Sequence, residues 1–373
     1  MAGIYIHIPF CKQACSYCDF HFSTNFEKNR TQLIDSICRE LEIRKDYLTG
    51  ATIKTIYFGG GTPSLLRVHE IEAILNSISN NFETDSEMEV TLEVNPDDVS
   101  ENQLNNWKKC GVNRLSIGVQ SFLKADLAWM NRAHNENESQ KAIELAKSHG
   151  FLLTIDLIYG LPNTSLKKWD YNIQKAIDVA PEHISAYCLT VEQKTTLAKW
   201  VKDNKIKPAD EDEQASQFLY LVDKLSEHGY EQYEVSNFAR DGHYAKHNSN
   251  YWLGINYLGV GPSAHSFDGK SRSWNIANNA QYIKKITENQ SFFEVEQLSN
   301  KNRFNEYLMT GLRTKWGVDF KKLNTIHNIP NAIMQKIDNY EKEGYLNKES
   351  DKLILTNKGK LIADQIASEL FID

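Results

Sequence analysis

Six short apolar stretches punctuate the first 190 residues, and helical patterns separate them. Residues 4–8 (Ile-Tyr-Ile-His-Ile) form a β-type run that Pro9 stops. Leu33, Ile34, Ile37, Cys38 and Leu41 then recur at helical spacing. The next strand spans residues 52–58 and ends in Gly59-Gly60-Gly61-Thr62-Pro63-Ser64, after which Val68, Ile71, Ile74, Leu75 and Ile78 mark a helix. Further strands are predicted at 89–94, 114–119, 152–158 and 184–189, with helices over 101–109, within 123–149 and over 166–179. Gly111 closes the helix over 101–109 from the usual C-terminal position. Alternating strands and helices predict parallel β/α units. Six units are too few for a closed eight-fold barrel, so the expectation is an α/β fold built on an open, partial (β/α)6 barrel. Its polar and glycine-rich motifs follow strand ends, the edge where β/α barrels build their sites.

Beyond residue 210 the pattern changes. Phe218, Leu219, Leu221, Val222 and Leu225 give a helix ended by Gly229, and residues 230–237 read as one strand. Residues 241–279 are turn-rich, with glycines at 242, 254, 259, 261 and 269, and are long for a passive loop. Residues 302–373 read as a small separate unit. Helical patterns at 304–312 and 332–344, a hairpin at 345–355 and a last helix carrying Leu361, Ile362 and Ile366 resemble a winged helix. The expected division is a barrel over 1–230, an additional α+β segment over 231–300 and a winged-helix-like domain over 301–373.

Composition narrows the function classes. At 41% hydrophobic and 24% charged residues, the chain has ample core material for a globular fold. A formal charge of −7 gives no electrostatic reason to bind nucleic acid. The C-terminal unit, with 12 Lys and Arg against 10 Asp and Glu, is too weakly basic to change that, so structural support or partner docking is its expected role. No apolar run approaches 18 residues, so no membrane span is predicted. Six cysteines, three of them clustered, suit a reducing cytoplasm rather than a secreted disulfide framework, and Met1-Ala2-Gly3 leads straight into the first strand without a signal peptide pattern.

The clustered cysteines carry the chemistry. Cys11, Cys15 and Cys18 follow the first strand at the spacing C-x₃-C-x₂-C. Thiolates are the standard ligands of iron–sulfur clusters, and three of them leave one iron of a four-iron cluster open. Three buried core thiols, or a zinc site completed by a distant fourth ligand, are the alternatives on spacing alone. The glycines at 59–61 let the backbone approach a ligand closely, or form only a tight turn.

With Tyr17 before the third cysteine, this loop resembles the radical S-adenosylmethionine (SAM) superfamily. The resemblance implies a [4Fe–4S] cluster on Cys11, Cys15 and Cys18, with SAM on the open iron and Gly60, Gly61 and Thr62 about its amino group. Longer stretches resemble the oxygen-independent coproporphyrinogen dehydrogenase (HemN) group over nearly the whole chain. These are residues 5–11, Leu92-Glu93-Val94-Asn95-Pro96, residues 118–122, Asn131-Arg132 and residues 156–162. By that resemblance Tyr5, Tyr17, Glu93, Gln120, Arg132 and Asp156 line the SAM pocket. Glu93 or Asp156 would accept from ribose hydroxyls or the ammonium, and Arg132 would pair with the carboxylate. Asp98 reads as a solvated or capping charge.

Two features depart from the HemN enzymes: Phe20 stands where they have a further cysteine, and only four residues precede Tyr5. His247-Asn248-Ser249-Asn250-Tyr251-Trp252 instead matches the H-N-x-x-Y-W signature of the HemW group of haem chaperones. Imidazole ligates haem iron and aromatic rings stack on porphyrin. His247 is therefore the candidate haem ligand, with His265 as its rival and His243 behind both. The implied function is haem binding and delivery to an acceptor protein, with no catalytic residues assigned and membrane contact only through that acceptor. A radical SAM coproporphyrinogen dehydrogenase, or a radical SAM enzyme on another substrate, is the alternative.

Overall fold

In the computed structural model, which describes residues 1–372, the six predicted barrel strands are all present. They are β1 (Ala2–Ile8), β2 (Ile53–Gly60), β3 (Thr84–Val94), β4 (Arg114–Gln120), β5 (Leu152–Tyr159) and β6 (His183–Cys188). They lie side by side in chain order, every neighbouring pair parallel. Helices α1 (Arg30–Ile43), α2 (Val68–Asn81), α3 (Glu101–Lys109), α4 (Lys124–Trp129), α5 (Glu136–Ser148) and α6 (Leu166–Val179) connect them. Side chains alternate across each strand. Ile4, Ile6 and Ile8 of β1 are fully buried in the main core, which leaves Gly3, Tyr5 and His7 on the inner face. The helical stretch within 123–149 is two helices. Asn131 turns the chain at a φ of 57°, and a capping box between Asn135 and Glu138 starts the second.

The barrel stays open, and the segment after it extends both edges of one twelve-stranded sheet. After α7 (Thr196–Lys202) and α8 (Glu211–Glu227) the strand expected over 230–237 is two, β7 (Glu231–Glu234) and β8 (Asn237–Ala239). The Glu234 carboxylate accepts from Ser236 N at 3.0 Å and holds the turn between them, and β8 runs antiparallel to β6. The turn-rich segment contains real elements: α9 (Lys246–Leu253), β9 (Tyr257–Val260), β10 (His265–Phe267) and β11 (Ser271–Asn275). After α10 (Asn279–Thr287), β12 (Phe293–Gln297) ends that edge. β9 lies parallel to β1, with Gly3 opposite Tyr257 and Tyr5 opposite Gly259, so the inner face continues onto the extension.

The last unit has its own apolar cluster around Phe304, Leu308, Ile337, Leu353 and Ile366. Its order is α11 (Asn300–Leu312), β13 (Val318–Asp319), α12 (Phe320–Ile326), α13 (Asn331–Lys342), a β14 (Leu346–Glu349)–β15 (Lys352–Leu355) hairpin, α14 (Asn357–Lys360) and α15 (Ala363–Glu369). This is the winged-helix-like arrangement, except that the final helix is broken in two. Among the described residues no helix is long and apolar enough to cross a membrane.

One buried carboxylate stitches the extension to the barrel. Glu40 on α1 is fully buried and accepts from Gly261 N at 2.9 Å, Asn275 Nδ2 at 2.8 Å and Tyr282 Oη at 2.5 Å. Arg44 lies 3.6 Å away, between the rings of Tyr47 and Phe293. Removing one member of a buried charged network strands the others without water. Glu40→Ala is therefore expected to destabilise the protein by about 3–5 kcal/mol in denaturant unfolding, with Glu40→Gln losing much less.

Candidate functional site

The cysteine loop leaves β1 at Pro9 and is held on three sides. Cys11 N donates to Ser23 O at 3.1 Å, and Ser23 N to Pro9 O at 2.8 Å, closing the loop's base. From the β4 side, Asn131 Nδ2 donates to Ala14 O at 2.7 Å and Ser16 N to Met130 O at 3.2 Å. From the β3 side, Lys12 pairs with Asp97 and Asp98, and Ser64 Oγ donates to Asp98 at 2.6 Å. Asp98 is thus a shielded tie to the loop rather than the solvated charge expected. The glycine turn abuts the same loop. Gly61 N donates to Ile8 O at 2.9 Å, and a Cβ on Gly61 would stand 2.6 Å from Phe10 O. Gly60 has a φ of 105°, and a Cβ there would meet the His7 ring at 2.5 Å. Only glycine fits both places.

Cys11, Cys15 and Cys18 line one cavity of about 480 Å³, together with the glycine turn and the ends of β3 to β6. Burial pushes the Cys11 thiol up and the Cys18 thiol up to about 12, so a bound metal would have to supply the positive charge that draws the protons off. Among the described residues no three His, Cys, Asp or Glu side chains converge on one point. Thr62 Oγ1 lies 3.6 Å from Cys11 Sγ and Arg132 Nη1 lies 3.5 Å from Cys15 Sγ.

The cavity floor holds two half-buried carboxyls, Glu93 and Asp156. Glu93 accepts from Tyr57 Oη at 2.8 Å and from Gly60 N at 3.2 Å. Burial, with the Asp156 charge adding to it against those hydrogen bonds, raises it from 4.5 to about 7. Asp156 accepts from Ser116 Oγ at 3.2 Å, and burial raises it from 3.8 to about 6. No cation pairs with either among the described residues. Gln120 holds a φ of 66°, a strained conformation of the kind that gathers at functional sites.

Of the residues expected around SAM, Tyr17, Gly60, Gly61, Thr62, Glu93, Gln120, Arg132 and Asp156 all line this cavity. Tyr5 does not. Its inward side chain is one layer down, packed 6.1 Å from the Tyr57 ring with its hydroxyl 3.2 Å from His7 Nδ1. Arg132 is already engaged: Nη2 donates to Asn95 Oδ1 at 2.7 Å and Gly118 O at 2.9 Å, while its buried Nε has no partner. His247 stands in the helix α9, not in a turn, and is 1% exposed. Its Nδ1 meets Thr55 Oγ1 at 2.8 Å and its Nε2 meets Tyr251 Oη at 2.9 Å, and burial lowers its pKa to about 3. Neither nitrogen is free in this conformation. His265 and His243 are exposed.

Tyr57, Ser116, Tyr187 and Cys188 also line the cavity without having been expected there, as do Asn95 and Asn248, which stood in quoted motifs with no site role. Strand alternation could have found Tyr57 and Ser116, which share the inward parity of Tyr5 and Glu93. Phe20 stands at the cavity wall and is 66% exposed.

Comparison with known proteins agrees with this geometry. A model of the Radical SAM superfamily matches residues 5–174, and the HemN C-terminal domain matches residues 298–362. Heme chaperone HemW of Bacillus subtilis is 32% identical over 98% of this chain and 98% of its own. Heme chaperone HemW of Mycobacterium tuberculosis is 31% identical over 99% and 94%. Coproporphyrinogen III oxidase (HemN) from Escherichia coli, a solved radical SAM enzyme, superposes with a TM-score of 0.85 over 99% of this chain and 90% of its own. At 21% identity that likeness speaks for the fold alone. The cysteine loop, the glycine turn and the end-to-end match together place this chain in the HemW family of the radical SAM superfamily.

Proposed function

We propose that this chain binds haem and hands it to an acceptor protein, with a [4Fe–4S] cluster on Cys11, Cys15 and Cys18 and SAM in the adjoining cavity. The end-to-end match to proteins named heme chaperones carries the reading. Phe20, exposed at the cavity wall where the HemN pattern has a cysteine, supports it. Cofactors belong to residues 1–230, the haem segment to 231–300, and partner docking to 301–373.

The side chains fit the two cofactors. When bound, the cluster supplies a redox-active iron with a free coordination position for SAM. Two half-buried carboxyls without a cation suit a positively charged ligand: Glu93 and Asp156 would take the ammonium and the ribose hydroxyls. Gly60 and Gly61 offer backbone groups with no side chain in the way. Arg132 stays beside Cys15 and offsets thiolate charge, and its unpartnered Nε is the donor left for a carboxylate.

Anaerobically reconstituted full-length protein is expected to bind haem, seen as a Soret shift on titration, and to pass it to an apo-haem protein. Replacing Cys11, Cys15 and Cys18 by Ala should abolish bound iron and sulfide. Absence of any haem binding by the reconstituted chain overturns the reading. So does conversion of coproporphyrinogen III to protoporphyrinogen IX with SAM and a reductant.

The two carboxyls also set a pH dependence. Each takes up its proton at a higher pH in the folded chain than in the unfolded one, so the fold binds extra protons between about pH 4 and 7. Ionising them above that window opposes folding. Stability of the cofactor-free protein should therefore fall as pH rises from about 4 to 7 and level off above that. Glu93→Gln should remove about 2 kcal/mol of that fall, measured as a flatter dependence of the unfolding midpoint on pH.

A further inference from the structure

The inner face of the extension carries a histidine that nothing in the fold uses. His265 on β10 is exposed, and no protein group hydrogen-bonds its ring among the described residues. The other histidines about the barrel mouth are engaged. His7 has Tyr5 Oη at 3.2 Å on Nδ1 and His21 O at 2.8 Å on Nε2. His21 has Asn279 Oδ1 at 2.7 Å on Nε2. His247 is sealed in with a partner on each nitrogen.

Register shows which way His265 faces. β10 pairs with β9 through Phe267 opposite Tyr257, and Tyr257 shares the inner face with Gly3 and Tyr5 of β1. Side chains alternate, so His265 lies on that same face as Phe267. Directly across the strand pair stands Trp274, its ring centroid 6.3 Å from that of His265 and tilted by 31°. Tyr257 lies 6.3 Å from Phe267 and meets Tyr251 of α9 edge-on at 4.6 Å. An aromatic surface therefore runs from α9 to a free imidazole beside an indole.

We infer that His265, and not His247, is the residue that ligates haem iron, with the porphyrin lying on the inner face of β10 and β11 beside Trp274. This rests on the haem-chaperone reading. Haem needs an imidazole with a free nitrogen and an aromatic surface, and this face presents both, with the Arg272 guanidinium lying over the Phe267 ring at 5.1 Å. Partial burial and the nearby Arg272 cation lower the pKa of His265, which favours the neutral ring that binds metal. The H-N-x-x-Y-W segment then acts by support: His247 fixes α9 against β2, and Tyr251 backs Tyr257.

Haemin titration of the full-length, cluster-reconstituted protein tests this, read by Soret position and by affinity. His265→Ala should weaken binding by at least about tenfold and change the spectrum, and added imidazole should restore the wild-type bands. Trp274→Ala should weaken binding without changing the ligand signature. His247→Ala should lower the unfolding midpoint while the folded fraction keeps the wild-type Soret position. Wild-type spectrum and affinity in His265→Ala overturn the inference and leave the chaperone reading standing. So does a folded His247→Ala protein that has lost the haem bands. Failure of the wild-type chain to bind haem overturns the chaperone reading itself.

Discussion

Glu89 does two things where water cannot help. On the inner face of β3 it is buried beside the Arg114 guanidinium, 3.5 Å away, and it accepts from the first backbone N–H groups of α9, Lys246 N at 3.2 Å and His247 N at 3.0 Å. A carboxylate at a helix N-terminus answers orphan donors and the positive end of the helix dipole together. Arg114 is in turn held by Thr154 Oγ1 at 3.2 Å and His243 O at 3.3 Å. An open barrel has no eighth strand to cover its inner face, and α9, docked on this pair, does the covering. The rings of His247 and Tyr57, 5.1 Å apart, follow from that docking, as does the reach of Asn248 into the cavity.

The same strand face shows how the fold separates support from function. Glu89 low on β3 has a cation and two helix donors. Glu93, four residues on and still facing inward, has a phenol and one backbone N–H and no cation. A half-buried carboxyl left in that state holds its proton to near-neutral pH and, once ionised, suits a positive ligand. The cysteine loop follows the same division: its backbone is tied by Ser23, Met130 and Asn131, while its three thiols stay unbridged.

What was legible in the sequence is what short-range chemistry encodes. The thiol spacing, the glycine turn and the strand-end position of Glu93, Gln120 and Asp156 survive because a strand fixes which residues lie at its end. α9 was not legible. Its sequence, Lys-His-Asn-Ser-Asn-Tyr-Trp-Leu, is rich in residues that prefer caps and turns. It is helical because Glu89, 157 residues away, caps its start and Gly254, at a φ of 67°, ends it. The burial of His247 follows from that distant contact, so a histidine among aromatics read as available when it is a packed wedge. Asp98 was misread for a related reason, since Lys12 lies 86 residues from it. Tyr5 shows the limit of parity: alternation tells inward from outward, but not which layer of the barrel a side chain occupies.

The far end of α9 explains why a C-terminal unit that, among the described residues, contributes no side chain to the cavity wall still bears on the site. Trp252 receives the Arg313 guanidinium over its ring at 5.1 Å. Arg313 also pairs with Glu234, beside the β7–β8 turn, at 3.0 Å and with Asp364 at 2.9 Å. α9 is thus gripped at its start by the barrel and near its end by the last unit, through a cation that also touches the outer edge of the sheet. A second tie, the two-pronged Arg272–Glu306 pair at 2.8 and 2.9 Å, joins β11 to α11. Both ties meet the elements that carry the aromatic inner face: α9 holds Tyr251, and β11 holds Trp274. The cysteine loop has separate supports on β3 and β4, so the two halves of the site are held by different parts of the chain.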